Sequence, residues 1–115
     1  MTIRELGTEL GFQPVQDHYQ DRPLDGGYTS DLLSDVMAKA GAGSVLLTIQ
    51  AHKNTVAVAS LANLAAIVLC GGRKAPDDML DAARAEGLAV FATDLDQFHA
   101  TGLVYQAMGG GAGGR

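Results

Sequence analysis

The sequence has one cysteine, three prolines, no tryptophan and few aromatic residues. The lone cysteine, Cys70, cannot form an intramolecular disulfide, which argues against a disulfide-stapled secreted domain and indicates a reducing compartment. Basic residues are scarce as well, since 8 Lys and Arg oppose 13 Asp and Glu for a net charge of −5. Binding nucleic acid through its phosphates needs a clustered basic surface, so no nucleic-acid partner is expected.

The chain also lacks an apolar run long enough to cross a membrane. The longest apolar-rich stretch, residues 56–69, contains Ser60 and Asn63 and falls short of the roughly 20 residues that a membrane helix needs. The first twelve residues carry charges and have no apolar export-signal core. These features predict a cytoplasmic protein with no membrane partner.

What the chain does contain is enough small apolar material for the core of one domain, with 47% hydrophobic residues in 115. Three continuous apolar runs stand out: SVLLTI (44–49), AAIVLC (65–70) and LAVFAT (88–93). Runs of this length are typical of strands buried on both faces. Because they alternate with helical patterns, they predict a single small α/β domain. Its sheet should be mostly parallel, with right-handed βαβ crossovers and helices on its faces.

Helix signals precede and separate these runs. The first two helices are predicted at 3–10, ending at Gly11, and from a cap at Ser30 to Gly41. The third should run from a cap at Asn54 or Thr55 to Leu61, and the fourth over residues 76–87. The last should run from a cap at Asp94 or Asp96 to about Met108. The segment FQPVQ (12–16) reads as a short strand that Pro14 confines to an edge. Residues 16–29 read as a polar loop with a Gly26-Gly27 turn.

These elements suggest three parts along the chain. Residues 1–25 would form an N-terminal helix, edge strand and loop, and residues 26–108 the α/β domain proper. Residues 109–115, with the sequence GGGAGGR, are expected to be a flexible tail.

Polar residues cluster in the loops that follow the three buried strands. The loops QAHKN (50–54), CGGRKAP (70–76) and TDLD (93–96) should all emerge at the carboxyl edge of the sheet. Ligands bind at that edge, near a switch in strand order. Each loop also precedes a helix N-terminus, whose free N–H groups favour an anion.

The loops predict one site for a small molecule that carries phosphate or carboxylate groups. Basic residues would contact the anion, polar side chains would orient it, and glycines would permit close approach or positive φ. The site residues are His52, Lys53, Asn54, Gly71, Gly72, Arg73, Lys74, Thr93 and Asp94. The alternative is that these loops are polar because they are exposed, and that Gly71-Gly72 only makes a turn.

No catalytic residue, metal ligand or cofactor is expected. His52 has no evident nucleophile partner and reads as a hydrogen-bonding loop residue. His18 and His99 stand isolated, without the spacing of a metal site. Cys70 reads as buried and inert.

Enzymatic activity is the competing class, either a phosphotransferase or a small hydrolase that uses His52 with Asp94 or Asp96. A P-loop needs Gly-x-x-x-x-Gly-Lys-Ser/Thr to wrap phosphates. GAGSVLLT (41–48) lacks that lysine, and no other motif supports catalysis.

The loop residues resemble those of the DRTGG domain, a small α/β regulatory module. HKN (52–54) occupies the position of the family's Gly-Asp-Arg-like element, and CGG (70–72) that of its Thr-Gly-Gly element. VFATDLDQF (90–98) and GGYTSDLLSDVM (26–37) are also similar to family patterns, so the resemblance covers about residues 26–108. Two departures stand out: Lys53-Asn54 replaces the name-giving Asp-Arg, and Cys70 replaces the Thr.

The resemblance implies a regulatory or dimerising domain with adenine nucleotides as effectors. DRTGG domains accompany CBS domains in regulated pyrophosphatases and are related to the N-terminal domain of HPr kinase. Small stand-alone relatives accompany iron-only hydrogenase systems, which implies a redox or hydrogenase-related enzyme as partner. The leading expectation is a non-catalytic ligand-sensing domain that acts as a homodimer or enzyme-associated subunit. A purely structural dimerisation module without ligand is the alternative.

Overall fold

The computed structural model describes residues 1–110, so residues 111–115 of the predicted flexible tail lie outside the described residues. Its centre is a five-stranded sheet in the order β1-β5-β4-β3-β2. Strands β2 to β5 are parallel, and β1 is antiparallel to β5. The strands are β1 (Gln13–Gln16), β2 (Gly26–Thr29), β3 (Ser44–Thr48), β4 (Ala66–Leu69) and β5 (Ala89–Ala92). The predicted α/β fold with a mostly parallel sheet is confirmed.

Helices cover both faces of this sheet. They are α1 (Glu5–Thr8), α2 (Leu33–Lys39), α3 (Lys53–Leu61), α4 (Asp77–Glu86) and α5 (Gln97–Ala107). Helices α2, α3 and α4 pack on one face, where Val36, Val56 and Met79 are buried with Leu46 and Ile67. Helices α1 and α5 pack on the other face.

The three predicted buried strands are β3, β4 and β5. Every residue of β3 and β4 is buried, and so are the first three residues of β5. Side chains alternate between the two faces of a strand, so Val45 and Leu47 join the core under α5 while Leu46 joins the core under α3. Continuous apolar runs are needed because helices shield both faces from water.

The predicted turn at Gly26-Gly27 is wrong, because both glycines belong to β2. This strand pairs in parallel with β3 from Gly26↔Ser44 to Thr29↔Leu47. Glycine is a poor strand former, so the four residues owe their conformation to pairing with a buried neighbour. The polar loop therefore ends before residue 26.

Two predicted helix caps also differ from the structure. His52 caps α3, since its Nδ1 accepts a hydrogen bond from the Asn54 backbone N–H at 3.0 Å. Asn54 and Thr55 lie inside the helix, and the buried Thr55 hydroxyl donates to the Gln50 carbonyl at 2.9 Å. Helix α2 begins at Leu33 without a side-chain cap. Of the two candidates for the last helix, Asp96 is the cap of α5.

The N-terminal segment completes the sheet and the core. Ile3, Leu6 and Phe12 are buried under the same face as α5, and β1 forms the edge beside β5. Pro14 lies on this edge strand, as predicted, next to a shift in register. Edge strands with proline and a bulge resist further pairing. Among residues 1–110, no helix combines the length and apolarity needed to span a membrane.

Candidate functional site

A groove of about 620 Å³ opens at the carboxyl edge of the sheet, between α4, β1 and the loop that follows β5. Its apolar floor consists of Val15, Ala75, Leu80 and Ala92. Polar groups surround this floor, and they come from β1 and from two of the three predicted loops: Gln13, Arg73, Lys74, Thr93 and Asp94. The groove therefore combines an apolar surface with charged and hydrogen-bonding groups, as small-molecule sites do.

The direction of β1 places this strand at the groove. Because β1 is antiparallel to β5, its first residue, Gln13, pairs with Ala92 at the carboxyl end of β5. Gly11, Gln13 and Val15 alternate along the chain and all line the groove. These three residues were not among the sequence candidates, because nothing local in the sequence shows which strand β1 joins.

The expected switch in strand order is absent, because β2, β3, β4 and β5 follow one another across the sheet in chain order. The groove forms instead where the parallel part of the sheet meets the antiparallel strand β1. Gly72, Arg73, Lys74, Thr93 and Asp94 line it together, whereas His52, Lys53 and Asn54 do not. Gly71 does not line it either.

Gly71 and Gly72 both adopt left-handed backbone conformations, with φ of 72° and 69°. Their N–H groups donate to the carbonyls of Leu95 (2.7 Å) and Thr93 (3.0 Å). The glycines therefore join the loop after β4 to the loop after β5. Their N–H groups are used within the protein and are not directed at a ligand.

Arg73 and Lys74 are the cations of the groove. Both side chains are exposed, and neither forms an ion pair with any residue from 1 to 110. Lys53 is likewise exposed and without an ion pair in that range. Unpaired cations above an apolar floor suit a ligand with an anionic end and an apolar end.

The helix N-termini contribute less to anion binding than the sequence suggested. Helix α4 carries Asp77 and Asp78 in its first turn, and the α5 N-terminus is capped by Asp96. These carboxylates already occupy the positive ends of the two helices that adjoin the groove. Among the three helices that follow the predicted loops, only α3 has no acid either at its N-cap or in its first turn.

A polar network that the sequence did not reveal centres on Asp31. Its Oδ1 accepts hydrogen bonds from the Thr48 hydroxyl (2.9 Å), the Ile49 N–H (2.9 Å) and Gln97 Nε2 (3.0 Å). Gln50 Nε2 also donates to the Asp31 carbonyl at 3.0 Å. Asp31 thereby ties the end of β2 to the end of β3 and to α5.

Cys70 is fully buried, as predicted. Burial, with a smaller contribution from the nearby carboxylates of Asp31 and Asp96, raises the pKa of its thiol to about 11. Very little thiolate is present at neutral pH, and the thiolate is the reactive form. Cys70 therefore belongs to the core of the protein.

Two of the three residues of the competing catalytic hypothesis, His52 and Asp96, are engaged in helix capping. His52 Nδ1 accepts from the Asn54 N–H, which agrees with the predicted hydrogen-bonding role. Asp96 Oδ1 accepts from the His99 N–H at 2.8 Å, and the His99 ring nitrogen Nδ1 lies equally close. These hydrogen bonds hold the pKa of Asp96 below its usual value. No three His, Cys, Asp or Glu side chains within residues 1–110 are grouped to hold a metal ion.

Comparison with known proteins identifies a similar solved structure. No family model matches the chain, and no curated protein matches it by sequence. Among solved structures, the chain is similar to the CBS and DRTGG domains of the regulatory region of Clostridium perfringens pyrophosphatase, a structure complexed with its activator diadenosine tetraphosphate. The TM-score is 0.71 at 12% sequence identity, over 90% of this chain and 46% of that chain. The chain thus spans less than half the length of the matched chain and has a DRTGG-like fold.

Proposed function

We propose that this chain is a non-catalytic regulatory domain that binds a small anionic ligand in the groove at the carboxyl edge of its sheet. Adenine nucleotides are the ligand class that fits best. The domain would signal through a second copy of itself or through an enzyme subunit to which it binds. One observation carries this proposal: Arg73 and Lys74, which form no ion pair within residues 1–110, line the same groove as the apolar floor.

The groove offers a separate surface to each part of a nucleotide. Arg73 and Lys74 would contact phosphate oxygens, because charge-assisted hydrogen bonds to phosphate are among the stronger polar contacts. The aliphatic side chains of Val15 and Leu80 would pack against the base. Gln13 and Thr93 would supply orienting hydrogen bonds. A volume of about 620 Å³ lies within the range of about 300–1,000 Å³ that is usual for small-molecule sites.

The groove changes the roles of the residues predicted from the sequence. Arg73, Lys74, Thr93 and Asp94 remain candidate ligand contacts, and Gly72 shapes the groove wall. His52, Lys53 and Asn54 lie outside this groove. They would act only on a ligand that extends along the carboxyl edge towards the start of α3.

The fold supports a regulatory role in a general way. The similar pyrophosphatase region is regulatory and binds an activator built from two adenosines and four phosphates. The identity of the partner that would receive the signal from this domain is a further proposal. A redox or hydrogenase-related enzyme follows only from the family resemblance described above.

A structural dimerisation module without ligand is the second candidate, and one observation favours it. The N–H groups of Gly71 and Gly72 are bonded to the neighbouring loop, so the backbone offers no anion-binding cradle at these glycines. If the domain is a structural module, the role of the polar loops is to stabilise the carboxyl edge of the sheet. A phosphotransferase finds less support, because His52 is engaged in capping α3.

A thermal-shift titration with AMP, ADP, ATP and dinucleoside polyphosphates tests ligand binding. A ligand that binds only the folded state stabilises it by about 2.7 kcal/mol at 100 times its dissociation constant. Arg73→Ala and Lys74→Ala should each weaken binding about tenfold, equivalent to about 1.4 kcal/mol. Arg84→Ala, an exposed arginine in the last turn of α4, is the matched control and should bind normally.

The outcomes separate the candidates. A saturable shift that is reduced in the groove variants but retained in Arg84→Ala would support the ligand-sensing domain. No shift with any nucleotide would favour the structural module. ATP turnover that disappears in His52→Ala would instead support an enzyme.

A further inference from the structure

Helix α5 presents an apolar face to solvent. On α5, Phe98 is 82% exposed and Tyr105, about two turns further on, is 51% exposed, and Leu95, just before the helix, is 38% exposed. The Phe98 ring contacts the His99 ring edge-on, with centroids 5.3 Å apart, which leaves most of its surface in water. Adjacent exposed apolar side chains of this size mark interaction surfaces in soluble proteins.

Gly102 lies in the middle of this face. With 3.6 residues per turn, it is on the opposite side of α5 from the buried residues Ala100 and Val104. A Cβ added at Gly102 would meet nothing within 4 Å, and its φ is not positive. Glycine is, after proline, the least favourable residue in a helix interior. Nothing inside the single chain requires it here, whereas close approach of a second helix would.

The face is also free of the charges that cover the rest of the chain. Within residues 1–110, α5 is the one helix without Asp, Glu, Lys or Arg. In a chain with a net charge of −5, two copies would meet here with the least repulsion. A partner chosen for opposite charge would find nothing to pair with on this helix.

We propose that a second copy of this chain docks on α5, with the two helices antiparallel and crossing at Gly102. This inference rests on the proposed function in one respect, namely that the domain signals through a second copy of itself. A two-fold axis through Gly102 sets Phe98 opposite Gln106 of the partner copy. The large aromatic ring thus faces a flexible side chain, and the surface is complementary to itself.

The antiparallel arrangement also follows from the acids at the start of α5. With a rise of about 1.5 Å per residue, the two Asp96 residues would lie about 18 Å apart along the helices. That separation exceeds the screening length of about 8 Å at physiological ionic strength. A parallel pair would bring the two caps together and oppose the helix dipoles.

The test is the mass of the full chain in solution, by light scattering after gel filtration or by sedimentation. The wild type should be a dimer. Gly102→Glu should be a monomer, because it places two carboxylates at the crossing point. Leu61→Glu, the same gain of charge at a 71% exposed position on α3, should remain a dimer. A monomeric wild type, or a dimeric Gly102→Glu protein, would overturn the proposal.

Crosslinking gives a second readout that does not depend on the stability of Gly102→Glu. Gly102→Cys should form an intermolecular disulfide under mild oxidation, because the two-fold axis brings the new thiols together. Leu61→Cys should not, and native Cys70 is fully buried and does not compete. Equal crosslinking of the two variants would contradict the proposed crossing.

The proposed dimer and the proposed ligand site can be refuted independently of each other. A monomeric wild type that still binds a nucleotide would remove the α5 surface and keep the groove. A dimer that is disrupted by Gly102→Glu but binds no nucleotide would keep the surface and favour the structural module.

Discussion

The buried hydroxyl of Thr48 donates a hydrogen bond to Asp31 Oδ1 across 2.9 Å. The same oxygen accepts from the Ile49 N–H and from Gln97 Nε2. One carboxylate oxygen thereby holds together the carboxyl edge of the sheet and the start of α5. This edge is the part of the molecule that carries the candidate site.

Asp31→Ala should lower the free energy of unfolding by about 1–3 kcal/mol, because it leaves the Thr48 hydroxyl buried without its acceptor. Urea denaturation measures the change. Asp31→Asn keeps an oxygen acceptor and should lose less. Asp81→Ala, an exposed acid on α4, should change stability little, and a loss equal to that of Asp31→Ala would contradict the role given to Asp31.

Gly72→Ala should cost about 1–2 kcal/mol of stability, since an L-residue pays that much to adopt a left-handed conformation. The cause is conformational rather than steric, because an added Cβ would come no closer than 3.4 Å to Asp94. Gly72→Asn should lose less, since asparagine tolerates this region better. If alanine and asparagine are equally destabilising by urea denaturation, crowding rather than conformation governs the site.

Cys70 should react very slowly with iodoacetamide in the folded protein and rapidly in urea, as followed by mass spectrometry. The raised thiol pKa of about 11 leaves little thiolate at neutral pH, and burial blocks access. A Leu61→Cys, Cys70→Ala variant provides an exposed thiol for comparison. Rapid alkylation of native Cys70 at neutral pH would show that the end of β4 opens readily.

The same pKa shift predicts a loss of stability at alkaline pH. A folded-state pKa raised above the unfolded value of about 9 gives stability that is complete below pH 9 and declines as pH rises towards 11. Thermal melts of the wild type and Cys70→Ala across this range measure the effect. The stability difference between them should shift against the wild type as pH rises, and a constant difference would refute this linkage.

The Asp96 cap predicts a dependence on acid pH. Its hydrogen bonds with His99 lower the pKa of Asp96, so the stabilisation is present above the unfolded value of 3.8 and is lost as pH falls through the lowered folded value. Asp96→Ala should therefore lower the melting temperature at pH 7 and matter progressively less below pH 4. Asp94→Ala, next to the cap but not part of it, should show no such convergence with the wild type.

The parts of the fold that were predictable from the sequence are those with a strong local pattern. The runs around Val45, Val68 and Val90 identified the buried parallel strands because both faces must be apolar. Strand β2 was missed because Gly26-Gly27 has the local signature of a turn, and only its pairing with β3 makes it a strand. Tertiary context overrode local propensity there.

The site was predictable to the level of the sheet edge but not of the groove. Topology alone brings the loops of Arg73 and Asp94 to the same edge as His52. Which loops share a groove depends on β1, whose pairing with β5 links Gln13 to Ala92. Such a long-range contact has no local signal, so Gln13 and Val15 could not be foreseen. The Asp31 network was hidden for the same reason.

The position of β1 at the far edge of the sheet has a consequence for how the chain acquires its structure. Strands β2 to β5 each pair with a strand that is next to them in the chain. Strand β1 instead pairs with β5, which is synthesised about 80 residues later, on the order of several seconds at typical rates of synthesis. Until then the future groove has no wall on one side. The nascent chain should therefore become able to bind a ligand only after β5 and the loop that follows it have been synthesised.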